Sequence, residues 1–529
     1  MGIRRDIVGY VTLLSFGLVP VAGMILASRE VLRPTGLSVF RISALLAVLL
    51  LILYALLRRF LSSEAASNSL GLPLLLVALY PGANTLAKAI PRVDLLQFAW
   101  LYLALCIFFA WATIRLRAGQ ARTLREVLMI IAVLFLAFSS FAIGSVYGVT
   151  VRYSAATERA IERLSAPLAT PLSVQKRPDV FHFVLDGMGR PDVLAAKYGA
   201  NLDESIEQLR RLGFQIDREI GQANYVQTHL SIPSMLNVSY LEELAVLQGP
   251  TNDRGPLRAL IRRASVPRLF KALGYRVSMI GALYATPFDV SDDCGCAEPW
   301  FFEPEMGTMS LTPLKVLLNL GLGHKSHYRR SLGIFDEFER DGDDSAPRYV
   351  YGHVMLPHPP FVISASGDYV NPRRPFSVAD ASFYKGTATE YRAGYREQAM
   401  FAMRRTSMMA SRILENARRH GREVVIIIHG DHGPRLEFDA RNPSPTSSES
   451  VLPILLAIHW PAGFQPASSP SSLVNVYRVL LSTLFGMDLP ALPDKAFLSG
   501  FTTPYMLVPV DVPQRPVGLA RVGNRDASR

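Results

Sequence analysis

The sequence predicts a two-part fold: an N-terminal bundle of about five transmembrane helices, then an α/β domain with a central, largely parallel sheet. Three observations carry this expectation. The apolar excess is concentrated before about residue 150, in stretches close to the roughly 20 residues a spanning helix needs. From Tyr153 to Lys176 the chain turns polar and carries Pro167 and Pro171, which marks a linker. Beyond it, short runs of branched aliphatics alternate with longer helical patterns, as strands and helices do around a parallel sheet.

The predicted spans are residues 7–27, 39–57, 70–89, 95–114 and 126–148. The third is the weakest, because Pro73, Pro81, Gly82 and Asn84 interrupt it. Only Arg4 and Arg5 precede the first span, and no small-residue cleavage site follows it, so it reads as a retained anchor. Arg4, Arg5, Arg58, Arg59, Arg115, Arg117, Arg122 and Arg125 fall on one side of the membrane; Arg29, Arg33, Lys88 and Arg92 fall on the other. The richer side is expected to be cytoplasmic. With an odd number of spans, everything after residue 150 is then exported from a bacterial inner membrane. The division expected is 1–150 for the membrane part, 151–176 for a juxtamembrane linker helix, 177–505 for the catalytic domain and 506–529 for a tail.

At 529 residues the chain exceeds what one hydrophobic core usually supports, in keeping with two units. The net charge of +11 does not gather into a basic stripe with interleaved aromatics, so a nucleic-acid partner is not expected; several arginines flank apolar spans instead. Ionisable residues are nearly absent from the spans, which argues against a transporter and for an anchor. Of three cysteines, Cys106 lies in a span, and Cys294 and Cys296 form a C-x-C pair read as a loop with or without a small, strained disulfide.

In the second half, strands are expected at Val180 to Leu185, Arg276 to Ile280, Tyr349 to Met355, Val424 to Ile428 and Pro453 to His459, and a long helix from Glu390 to Arg419. Ligands of such sheets bind at the carboxyl ends of the strands. There the sequence places Asp186-Gly187 after the first run, and His429-Gly430-Asp431-His432-Gly433-Pro434-Arg435 after the fourth. A carboxylate and an imidazole side by side suit a divalent ion, and the glycines leave room for it. Thr228 and Ser231 lie at the start of an apolar helical pattern, where a helix N-terminus favours an anion or a developing alkoxide, although a hydroxyl there is also an ordinary cap. Leu356-Pro357-His358-Pro359-Pro360-Phe361, again just past a strand, offers a histidine to the leaving group or substrate.

These stretches, in this order, resemble the sulfatase-like branch of the alkaline-phosphatase superfamily, particularly the membrane-bound lipoteichoic acid synthases and lipid A phosphoethanolamine transferases. The resemblance covers nearly the whole chain, since those families also set about five spanning helices before an exported catalytic domain. It implies that Asp186, Asp431 and His432 ligate the metal together with Thr228, and that Thr228, in its Thr-x-x-Ser-x-Pro setting, is the nucleophile. It implies a substrate-site role for His358 in its His-x-Pro-Phe motif; His429, Arg190 and Arg435 are expected to line the substrate pocket, the two arginines as phosphate clamps or as plain salt-bridge partners. The ion expected is Zn or Mn, with Mg or Ca as alternatives. Two departures stand out: the transferases' disulfide set is missing, and the synthases carry Glu rather than Asp at the first ligand.

The expected activity is transfer of a phosphoethanolamine- or phosphoglycerol-type substituent from a phospholipid donor to an envelope glycan or lipid acceptor, through a covalent Thr228 intermediate. The rival enzymatic reading is a sulfatase or phosphodiesterase, for which Ser231-Ile232-Pro233-Ser234 resembles the Cys/Ser-x-Pro-x-Arg maturation motif, with Met235 in place of the Arg. A third reading is an idle envelope scaffold, disfavoured because idle sites tend to lose charged ligands that are costly to bury unpaired.

Overall fold

A computed structural model describes residues 2–28, 36–90, 94–147, 153–171, 174, 176–217, 220–281, 287–295, 303–340, 346–372, 374–444 and 448–511. Arg29, Arg33, Arg92, Cys296 and the end of the predicted tail lie outside them. Two compact units emerge.

The first unit holds five helices, α1 (Gly2–Ser28), α2 (Gly36–Arg58), α3 (Ser63–Ala89), α4 (Leu95–Ile114) and α5 (Ala118–Tyr147). All five contain stretches long and apolar enough to cross a membrane. The interrupted third span is one continuous helix despite Pro73 and Pro81. It starts on a Ser62 cap whose side chain accepts from the Ala65 N–H, and α4 starts on Asp94, which accepts from Leu96 and Gln97. At one end of the bundle, α1 Asp6 pairs with α2 Arg58 at 2.7 Å, and α3 Glu64 pairs with α5 Arg125 at 3.4 Å. That is the end to which the sequence assigns the richer set of basic residues, so charges that would be costly among lipid tails are gathered and paired there. This unit also includes Glu298–Arg330 and Asn371–Ser377, stretches that the sequence reading assigned to the catalytic domain.

The second unit is built on a seven-stranded sheet: β1 (Asp179–Leu185), β2 (Phe214–Ile216), β3 (Arg276–Ile280), β4 (Asp293–Gly295), β5 (Arg348–Val354), β6 (Val424–Gly430) and β7 (Leu456–His459), in the order β2-β7-β6-β1-β5-β3-β4. β1 runs parallel to both neighbours, β5 and β6, and β3 continues parallel beyond β5. The run read at Pro453 to His459 yields only the short β7, which lies antiparallel to β6 and to β2. The central strands are buried along almost their whole length and largely apolar because both faces are covered. On one face, Val180 and Val184 of β1 join Val425, Ile427, Tyr349 and the Leu473–Phe485 helix in a single core. On the other, Phe181 and Phe183 meet Phe335 and Phe338 at ring separations of 4.7 to 5.7 Å. The long helix spans Ala388–Arg419 and opens with a capping box, Thr387 with Glu390. The linker contains the short helix Ala155–Leu164.

Candidate active site

Because β6, β1 and β5 are parallel and in register, with Leu185 opposite both Gly430 and Val354, their carboxyl ends reach one edge of the sheet together. Asp186 is the next residue after β1, and Asp431 the next after β6. The pleat places alternate residues on one face, so His429, Val184 and His353 form a cross-strand row, and Asp431 and Asp186 follow two residues on. The sequence separates these carboxylates by hundreds of residues; strand pairing makes them neighbours.

Asp186, Asp431 and His432 are all buried, and each offers a ligand atom within 4.8 Å of the others. His432 Nε2 lies 3.4 Å from Asp186 Oδ1 and 3.6 Å from Asp431 Oδ2. The tautomer follows from the other nitrogen: His432 Nδ1 is 2.8 Å from the Gly433 carbonyl, which can only accept, so Nδ1 carries the proton. A neutral ring then turns its Nε2 lone pair toward two carboxylate oxygens. Asp186 Oδ1, Asp431 Oδ2 and His432 Nε2 have no hydrogen-bond partner. Three mutually facing, buried electron-pair donors repel one another unless a cation lies among them, so this donor set fits a divalent metal ion. Burial alone would raise the Asp186 pKa, but His358 and then His353 beside it hold it well below the usual carboxylate range.

The surrounding backbone holds these groups in place. Asp431 Oδ1 accepts from the N–H of Gly187 at 2.9 Å and of His432 at 3.0 Å, which leaves Oδ2 free. Gly187 has φ +77°, a left-handed turn in which a side chain is strained, and a Cβ there would face His432 and His358. Tyr395 of the long helix donates to the Gly187 carbonyl at 2.6 Å and accepts from the Gly189 N–H, so the turn after β1 is pinned from above.

Thr228 begins the Thr228–Leu236 helix, with Gln227 extended before it. Gln227 donates to Ser499 Oγ at 2.8 Å and to the Gly500 carbonyl at 2.9 Å, fixing the turn that presents Thr228. Arg435 Nη2 donates to the Val226 carbonyl at 2.7 Å while Nη1 stands 3.9 Å from Asp380 Oδ2. His358 donates from Nδ1 to the Pro359 carbonyl at 2.7 Å and turns Nε2 to within 3.6 Å of the same Asp380 carboxylate. Arg435 thus ties Val226, two residues before Thr228, to the Asp380 carboxylate that His358 also faces. Burial, then Arg254 and Arg258, push His229 well below the imidazole range, partly opposed by Asp186.

Two expected substrate contacts are not brought in. His429 has both ring nitrogens engaged: Nδ1 donates to the Gly430 carbonyl at 2.8 Å and Nε2 meets His182 Nε2 at 2.7 Å. It sits one pleat row short of the edge, as part of the interior. Arg190 directs Nε and Nη2 onto Asp192 at 2.7 and 2.8 Å, a local pair at a helix start rather than a clamp. Conversely, the sequence reading missed His353 and Asp380. His353 lies inside the apolar run of β5, with Nε2 3.4 Å from Asp186 Oδ2. A histidine one row before the end of a central strand is a signal that alignment with β1 alone reveals.

A parallel sheet that brings carboxylates and an imidazole together beyond adjacent central strands is the frame of the alkaline-phosphatase superfamily. The chain belongs to the Sulfatase family, which it matches over residues 178–508, and is an enzyme of that superfamily. No curated protein matches it. Among solved structures it is similar to the C-terminal periplasmic domain of EcEptC from Escherichia coli in complex with Zn, at 10% identity over 65% of this chain and 96% of that one, with a TM-score of 0.42. A putative sulfatase from Bacteroides thetaiotaomicron is 12% identical over 60% of this chain and 72% of its own, TM-score 0.38. An alkaline-phosphatase-superfamily protein from Vibrio parahaemolyticus is 12% identical over 66% and 82%, TM-score 0.35.

Proposed function

We propose that this membrane-anchored enzyme moves a phospho-substituent, of phosphoethanolamine or phosphoglycerol type, from a phospholipid to a hydroxyl of an envelope glycan or lipid. One observation carries the reading: three buried, unpartnered donors, Asp186 Oδ1, Asp431 Oδ2 and His432 Nε2, stand together just beyond the carboxyl ends of β1 and β6. Asp186, Asp431, His432 and Thr228 would hold a divalent ion, Zn or Mn by donor type, whose bound form acidifies a hydroxyl and neutralises phosphate charge.

In the first step Thr228 Oγ1 attacks the phosphorus of the lipid head-group diester. Thr228 enters this step as the alkoxide, its hydroxyl proton released to solvent beforehand; the new Oγ1–P bond forms as the P–O bond to diacylglycerol breaks, and a proton from His358 Nε2 goes to the departing alkoxide. In the second step the acceptor hydroxyl attacks the same phosphorus, its proton returns to His358, and Thr228 is regenerated. Arg435, whose Nε has no partner, is the cation placed to steady the phosphate. The five apolar helices favour a lipid donor, since they hold the site where that donor partitions. Basic residues gathered where α1 and α3 begin and α2 ends, with five spans before residue 150, support an extracytoplasmic site on an inner membrane.

The sulfatase reading fares less well at Ser231: its hydroxyl is buried and donates to the Tyr225 carbonyl at 3.0 Å, facing back into its own turn. Intact-mass analysis after incubation with phospholipid tests the proposal. A phosphoethanolamine or phosphoglycerol adduct on Thr228, absent from Thr228→Ala together with turnover, is the expected result. Full turnover in Thr228→Ala, or an aldehyde at Ser231, overturns it.

A further inference from the structure

We propose that residues 311–322, far along the chain from the five spans, dip into the bilayer and contact lipid acyl chains beside the helix bundle. The inference rests on packing and exposure within the first compact unit, to which this segment belongs.

Leu311 packs against Val21, Met24 and Ile25 near the end of α1 and Ile42 near the start of α2. Val316 is buried in a cluster with Tyr80 of α3 and Phe98, Ala99 and Tyr102 of α4. These partners fix a depth. Tyr80 stands seven residues inside the Ala87 end of its apolar span, about 10 Å below that end at 1.5 Å per residue. Val316 thus lies level with the apolar part of α3, and on α4 it packs one to two turns beyond the Asp94 cap. The contacts involve the carboxyl ends of α1 and α3 and the amino ends of α2 and α4, which is the side of the bundle opposite the Asp6–Arg58 and Glu64–Arg125 pairs.

The segment's other face is apolar and uncovered. Leu314, Leu317, Leu320 and Leu322 are 43%, 41%, 62% and 40% exposed. In water that many leucines on a stretch of nine residues would be costly, at about 25 cal/mol per Å². At this depth they continue the lipid-facing surface that α3 and α4 already present through Leu79, Leu86 and Leu101. Acyl chains of the same membrane are therefore the occupant.

The polar groups are handled as a bilayer requires. Lys315–Leu317 and Leu318–Leu322 are helical, so their backbone N–H and C=O groups are largely paired internally. Lys315, the one charged residue of 311–322, donates from Nζ to Asn84 Oδ1 at 2.6 Å and lies 5.2 Å from the centre of the Tyr80 ring. Gly321, at φ 110°, kinks the chain before the Gly323–Phe338 helix. A short helical dip, one paired lysine and a glycine kink make an insertion that enters and leaves by the same leaflet.

Full-length Leu320→Trp, with Leu317→Trp as a second reporter at another exposed site, is reconstituted in phosphatidylcholine vesicles with or without bromine on the acyl chains. Subtracting the parent spectrum removes the four native tryptophans. The expected result is a blue-shifted added emission that is lost in brominated lipid and insensitive to aqueous iodide. Quenching by iodide and not by bromine puts the segment in water and overturns the proposal. Protection from both quenchers means that protein, such as a second copy of the chain, covers this face, and overturns it equally.

Discussion

His353 Nε2 lies 3.4 Å from Asp186 Oδ2, and both side chains are buried. The imidazole reaches across from β5 to the carboxylate that ends β1, on the side of Asp186 that does not face His432. We propose that it acts as an outer support that biases which oxygen turns toward Asp431 and His432. His353→Leu is therefore expected to weaken metal binding by roughly 10–100-fold while the protein still folds, the usual cost of losing such a support. His353→Gln, which keeps a donor, should recover part of the loss. Metal content after dialysis against graded chelator measures both, and unchanged affinity in His353→Leu would refute the role.

Asp431→Asn separates charge from structure. Oδ1 of Asp431 accepts from the Gly187 and His432 N–H groups, and an amide oxygen can do the same. Oδ2 has no partner, and an NH₂ in its place removes the negative charge and turns a donor toward the would-be ion. The expected result is a near-normal thermal midpoint in chelator, with metal occupancy reduced by an order of magnitude or more. Unchanged metal content by elemental analysis removes Asp431 from the ligand set.

Long apolar patterns made much of this fold legible. β1, β3, β5 and β6 stand within a residue or two of the runs read at Val180, Arg276, Tyr349 and Val424, because a central strand covered on both faces is largely apolar. β2 and β4 have three residues each and lie at the sheet's edges, too short to show a period. Asp186, Asp431 and His432 were readable since polar residues directly after such runs are conspicuous. His353 was not, because it interrupts a run, and only register with β1 brings it to Asp186. The leucines of 311–322 resemble those of any amphipathic helix; what sets them apart is their docking on α3 and α4.

His182 and His429 make a prediction about pH. Tyr349 OH meets Tyr477 OH at 2.7 Å, Tyr477 OH meets His182 Nδ1 at 2.6 Å, and His182 Nε2 meets His429 Nε2 at 2.7 Å. Since His429 Nδ1 must donate to the Gly430 carbonyl, every link takes one direction and each ring carries a single proton. An added proton finds no acceptor. Burial, then the neighbouring imidazoles, lower His182 well below its ordinary value; burial likewise pushes His429 down to about 4. The unfolded chain, titrating near 6.5, binds more protons between those values, so stability falls as pH drops from about 6.5 toward 4, by up to about 1.4 kcal/mol per pH unit for each histidine. Above about pH 7.5 both states are neutral and this contribution is flat. Urea unfolding of the full chain in detergent, followed from about pH 8 to 5, checks it; a midpoint that stays constant or rises on acidification contradicts neutral burial.

Gly430 stands between His429 of this buried chain and Asp431, and its lack of a side chain is a steric requirement. A Cβ on Gly430 would stand 2.1 Å from the Met188 carbonyl oxygen and 2.9 Å from its carbon. Neither atom can yield cheaply: the Met188 carbonyl accepts from the Leu455 N–H, and Gly430 N donates to the Leu455 carbonyl. The strain would pass through Met188 to the turn that carries Asp186 and Gly187. Gly430→Ala is thus expected to cost about 1–3 kcal/mol or more and to reduce metal occupancy along with activity. At Gly119, near the start of α5, an added methyl would have nothing within 4 Å, so Gly119→Ala should be neutral or slightly stabilising by helix propensity. Thermal midpoints and metal content of the two variants side by side decide the matter: equal behaviour would mean that Gly430 is no tighter a site than an open helix position, and that the strand end holding Asp431 is more yielding than this packing implies.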